Sequence, residues 1–167
     1  SHVKNGIYGE MFCAAMIAAA LVLNDPVEIV RAGLAQIPQR SRLADAVRRT
    51  IDLCASLVFA PDRFEQAQDW LWREFGRYHP IHTINNAAAV VMALLLGGGD
   101  FGRTIGIAVT CGWDTDCNGA TAGCIAGAMR GAARLPARLA ERPAGTTVRA
   151  TVFRRDELLE IPVTLGE

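Results

Sequence analysis

No sign of charge dominates this sequence: Lys+Arg and Asp+Glu both number 17 in 167 residues, so the formal net charge is zero. That balance leaves no electrostatic footprint for nucleic acid or for an anionic membrane surface. It also removes the repulsion that keeps copies apart, and so favours self-association. No apolar run is long enough to cross a bilayer, the longest being Cys13 to Leu23. This run lacks a basic flank and a cleavage site, so it is not a signal peptide. The five cysteines form no C-x-x-C pair, which argues against a zinc or disulfide framework and for reduced thiols in a cytoplasmic protein. A starting Met is missing too, and Ser1-His2 opens in mid-pattern, the expectation being a fragment or a processed chain.

What is present is a globular composition, 51% hydrophobic and 20% charged, with helical periodicity along most of its length. Gly6-Ile7-Tyr8-Gly9 reads as a turn, and Glu10 opens a helix to about Leu23 that is apolar almost all round and therefore expected to be buried on most sides. Asp25 with Pro26, Ser41, and Asp100 have the chemistry of helix starts. Pro38, Pro61 and Gly97-Gly98-Gly99 have that of stops. A helix is predicted near Thr83 to Leu96, and Trp70 and Trp72 cannot share a helix face. Thr147 to Phe153 and Leu158 to Leu165 alternate loosely, as in a β-hairpin. The expected architecture is an all-α compact multi-helix bundle over residues 1–146, with a small C-terminal β-hairpin appended over 147–167.

Residues 112–131 hold the most information. Gly119, Gly123, Gly127 and Gly131 recur every four residues. Each weakens a helix by ~1 kcal/mol relative to alanine. A sequence that keeps four of them needs a stripe free of side chains, so a buried central helix closely approached by another helix is expected here. Just before it, Asp114 and Asp116 flank Thr115. Two carboxylates so close repel unless protonated, paired with bases or bridged by a cation. Asp114 as a helix cap and Asp116 in the first turn is the structural alternative. Spacing alone does not decide between the two.

The string Cys111-Gly112-Trp113-Asp114-Thr115-Asp116-Cys117-Asn118-Gly119-Ala120-Thr121, with the glycine stripe and Leu135-Pro136 after it, resembles the C-terminal signature of ADP-ribosylglycohydrolases, typically G-G-D-T-D-T followed by small residues. Other blocks resemble the branch similar to the ADP-ribosyl-dinitrogen-reductase hydrolases. These are Ser1-His2 with Asn5-Gly6-Ile7-Tyr8-Gly9-Glu10-Met11-Phe12, Ile37-Pro38 with Ser41-Arg42-Leu43, and His82-Thr83-Ile84-Asn85-Asn86-Ala87.

The resemblance implies the C-terminal part of a helical hydrolase fold with a dinuclear magnesium (or manganese) centre, cleaving the glycosidic bond between ADP-ribose and an acceptor. By that resemblance Asp114 and Asp116 are catalytic and metal-holding. Cys117 takes the place of a hydroxyl ligand, although a thiol suits magnesium poorly. His2 and the Asn5–Glu10 turn, with Gly6, Tyr8 and Gly9, fall in a substrate-lining region. Trp113 replaces a glycine and is expected to narrow the site. The family's N-terminal G-D-x-x-G and T-D-D-T-like strings are absent. One copy is therefore expected to hold half a metal site, needing a missing N-terminal half or a homodimer partner to act on an ADP-ribosylated substrate.

Two other readings stand beside this one. The first is a non-catalytic, self-associating helical remnant. The second is a truncated hydrolase in which Cys117 is the nucleophile and a histidine, His2 or His82, the base. His79 and His82, three residues apart, fit turn and cap roles better than a metal pair.

Overall fold

The computed structural model describes residues 3–57, 63–140, 143, 145–154 and 157–164. The chain falls into two compact units, Ser1–Ala132 and Ala133–Glu167.

The first unit is helical throughout: α1 (Asn5–Ala20), α2 (Pro26–Ala35), α3 (Arg42–Ser56), α4 (Arg63–Phe75), α5 (Thr83–Gly97), α6 (Phe101–Thr110) and most of α7 (Thr115–Ala140). The caps follow the sequence chemistry. Asp25 Oδ1 accepts the Val27 N–H at 2.8 Å, Ser41 Oγ that of Ala44 at 3.1 Å, and Asp100 Oδ1 that of Arg103 at 2.7 Å. Each satisfies a donor that the first turn leaves without an intrahelical partner. Around these helices the core gathers Phe12, Met16, Ile29, Leu43, Leu71 and Met92, all fully buried.

Three expectations are corrected. The helix predicted from Glu10 begins at Asn5, and its G-x-x-G is not a turn. Gly9 sits where α1 crosses the start of α5, and a methyl there would run into Thr83 Cγ2. The same helix was expected to be buried on most sides. Only Gly9, Phe12, Met16 and Ala20 are buried, while Ile7, Met11, Leu21 and Val22 are exposed. Third, the central buried helix is α5 rather than α7. From Ile84 to Leu94 every residue of α5 except Asn86 is buried, and the helix packs against α1, α2, α3, α4 and α6.

The glycine stripe of α7 has a different use. Gly119 faces Val109 Cγ2, Gly123 faces Ile105 Cδ1, and Gly127 faces Phe101 Cε2, where added β-carbons would lie 3.1, 3.2 and 3.6 Å from those atoms. The pairing is antiparallel, with α6 side chains one turn apart seated on successive glycines. It is a knob-on-glycine contact, not a meeting of two bare backbones. The far side of α7 leaves Cys117, Ala120 and Cys124 exposed.

In the second unit α7 continues through Leu135-Pro136 and ends at Ala140. Strands β1 (Thr147–Arg154) and β2 (Glu157–Thr164) pair antiparallel from Thr147↔Thr164 to Arg154↔Glu157. No helix among the described residues is long and apolar enough to cross a membrane.

Candidate metal centre and its cleft

The corner between α6 and α7 carries the acids. Helix α6 ends at Thr110, and the chain turns through Gly112 (φ 84°) and Trp113 (φ 61°). Positive φ is open to glycine but uncommon for a bulky residue. The turn delivers Asp114 to the head of α7, where its carbonyl accepts the Asn118 N–H at 2.9 Å.

Ligand atoms of Asp114, Asp116 and Cys117 lie within 4.8 Å of one another. Among the described residues this is the only group of three or more His, Cys, Asp or Glu so arranged. Asp114 is half-buried; the other two are exposed. Asp116 is held below the usual carboxylate range, first by a side-chain hydrogen bond with Asp114 and then by the backbone N–H groups of Asp116 and Cys117. The Cys117 thiol is pushed up, first by its hydrogen bond to Asp114 and then by that group's charge. A thiol facing two acids is not an activated nucleophile, because the thiolate is the reactive form.

The donor set fits a hard divalent cation in part. Two carboxylates suit magnesium or manganese, which keep waters in the remaining positions, while the thiol is too soft to complete the sphere. The fold provides more than ligands here. Asn86, in the second turn of α5, accepts at Oδ1 from the Asp114 N–H (3.3 Å) and from Asn118 Nδ2 (2.8 Å). Its own Nδ2 donates to the carbonyls of Pro80 (2.7 Å) and His82 (2.9 Å). One amide thus ties the acidic corner to the loop before α5.

A cleft of about 310 Å³ opens beside the acids, lined by Gly6, Gly9, Glu10, Thr83, Asn86 and Asp114, among others. Cys117, Asn118 and Thr121 continue the wall along α7. A larger hollow of about 640 Å³ lies along α4 beside Leu53, Trp70 and Trp72. Among the described residues its wall has one carboxylate, Asp69, and no acid pair, so the smaller cleft is the chemical candidate.

Of the residues singled out in the sequence, the cleft brings together Gly6, Gly9, Asp114 and Cys117, with Asp116 beside them. Tyr8 packs half-buried against the core instead. His2 lies outside the described residues. Trp113 does not line the cleft; its ring stacks on Trp72, centroids 4.7 Å apart. His82 caps α5, its Nδ1 accepting the Ile84 N–H at 3.1 Å, and His79 accepts from Ile81. Both histidines thus serve turns and caps. Glu10 belongs to the Asn5–Glu10 segment expected to line the cleft, whereas Thr83, Asn86 and Thr121 carried no individual site role in the sequence. The signals present were their places in the His82–Ala87 and Cys111–Thr121 blocks and the pair of amides, Asn85-Asn86, inside an otherwise apolar helix.

A model of the ADP-ribosylglycohydrolase family matches residues 1–164, nearly the whole chain. None of the curated proteins and none of the solved structures compared matches it.

Proposed function

From the premise that the chain belongs to the ADP-ribosylglycohydrolase family, whose members hydrolyse ADP-ribosyl linkages, we propose that this site holds a divalent cation, magnesium or manganese, for that reaction. Asp114 and Asp116 are the residues that hold it, and their convergence with Cys117 within 4.8 Å is the observation that carries the reading. The cation would supply a polarised water and orient the ribose. The protein's own part is to fix the acids through Asn86 and to shape the cleft, whose wall includes Gly6 and Gly9, the latter lacking a side chain where Thr83 of α5 packs against α1. Asn118, nearly fully buried, takes no direct part but pins the first turn of α7.

In this reading two acids and a soft thiol are half of a dinuclear site, and the other ligands come from a second polypeptide or a further segment. Titration calorimetry with Mn²⁺ and Mg²⁺ tests it. We expect binding near the millimolar range, weakened at least about tenfold in Asp114→Asn and Asp116→Asn, since hard cations rely on carboxylate charge. Equal heats from all three proteins would refute the assignment.

One observation favours a second reading, in which copies self-associate. Ile7 and Met11 on α1, and Val3, Leu21 and Val22 at its two ends, are exposed apolar residues, and clusters of exposed apolar residues mark interaction surfaces. A monomer in light scattering at high protein concentration would remove it. The five free cysteines support a reducing, cytoplasmic setting. The reading of Cys117 as a nucleophile gains nothing from a thiol whose neighbours oppose ionisation.

A further inference from the structure

Helix α4 contributes nothing to the acid cluster, yet it holds the corner on which the acids sit. Gln68 and Trp72 stand one turn apart on it. Gln68 Nε2 donates to the carbonyl of Thr110 at 2.7 Å, and Trp72 Nε1 to that of Cys111 at 3.0 Å. These carbonyls close α6 and have no intrahelical partner to satisfy them.

The same indole blocks the next residue. A β-carbon at Gly112 would lie 3.1 Å from Trp72 Cζ2. Beyond it the ring meets Trp113 at 4.7 Å and 35°. Trp113 is thus kept in a left-handed conformation that its side chain does not favour, and the next residue is Asp114. From the other side Asn86 takes the Asp114 N–H.

We propose that Trp72 is a positioning residue for the acid pair. It fixes the Cys111–Trp113 turn by one hydrogen bond and one ring contact, and so sets where Asp114 and Asp116 project. This rests on reading those acids as cation-holding. Outer residues that orient metal ligands typically change metal affinity by about 10–100-fold when removed.

The test uses the full chain and Mn²⁺ alone, followed by electron paramagnetic resonance, with hydrogen exchange of residues 111–117 as a readout independent of metal. Trp72→Phe keeps a ring but loses the N–H, and is expected to weaken Mn²⁺ binding about 3–10-fold; Trp72→Ala, losing both, should approach the upper end of the range. Amide exchange in 111–117 should rise in the same order while α5 keeps its protection.

Unchanged Mn²⁺ affinity in both variants, or exchange that rises equally across α4 and α5, overturns the proposal. If Trp72→Ala fails to fold, Trp72→Phe decides alone. If wild-type protein binds no Mn²⁺ but the variants loosen 111–117 selectively, the cation reading fails and the clamp on the turn stands.

Discussion

Helix α6 is bounded by two corners that use the same backbone geometry for different reasons. At its start the chain passes through Gly98 (φ 60°) and Gly99 (φ 80°); at its end, through Gly112 (φ 84°) and Trp113 (φ 61°). The first corner is made by residue type. Glycine enters the left-handed region without steric cost, no described residue lies within 4 Å of a β-carbon built on Gly98, and Asp100 then caps α6 with its own side chain. The second corner is made by its surroundings. Its Trp113 is a poor residue for the conformation, and Trp72, Gln68 and Asn86 hold the chain there from α4 and α5. A corner that only turns the chain can be locally encoded. The one that must place two carboxylates is held by side chains distant in sequence.

Single substitutions at either corner should separate the two modes of support. The largest effect is expected from Asn86→Ala, which removes four hydrogen bonds at once and leaves the nearly buried Asn118 amide without that partner. A loss of ~2–3 kcal/mol is expected, read by urea denaturation, together with weaker Mn²⁺ binding. A change below ~0.5 kcal/mol would show that the corner does not depend on α5.

At the other corner, Gly98→Ala places a β-carbon in open space and tests backbone conformation alone. It should cost ~1 kcal/mol and leave Mn²⁺ binding unchanged; altered binding would mean that the two corners are coupled.

The smallest effect concerns pH. His82 caps α5 through an unprotonated Nδ1, and its pKa lies below the ordinary 6.5 because of burial, then the Arg42 and His79 charges. The folded pKa is below the unfolded one, so the unfolded chain binds the proton more readily and stability rises with pH across that interval. The contribution is complete above about pH 6.5 and is lost as pH falls toward the folded value. His82→Asn, which retains a capping acceptor, should flatten the fall in Tm between about pH 7.5 and pH 5.5. An identical slope in both proteins would remove His82 as its source.

The same contrast explains what could be read in the sequence. Asp25, Ser41, Asp100 and the Gly97–Gly99 stop act within a few residues of themselves, and each helix boundary they mark is observed. Features that depend on a distant partner were missed or misread. Gly6 and Gly9 looked like a turn because the Thr83 methyl that explains Gly9 is 74 positions away. The glycines of α7 signalled close packing without revealing that α6 side chains fill the space. At the site, the acids were legible because their chemistry lies in adjacent positions. Asn86 and Trp72 were not, since their partners lie 28 and 39 residues further on.

The seating of α6 on α7 leaves one notch vacant. Phe101, Ile105 and Val109 seat on Gly127, Gly123 and Gly119, while Gly131, one turn beyond, meets none of the described residues. Because knobs and notches repeat at the same interval, shape matching sets how near the two rods lie but is indifferent to a slide of one step along their length. The corner between them supplies the missing stop: Gln68 and Trp72 hold its α6 side, and the bonds from Asn86 to Asp114 and Asn118 catch α7 at its first turn, so the carboxylates stay level with the cleft.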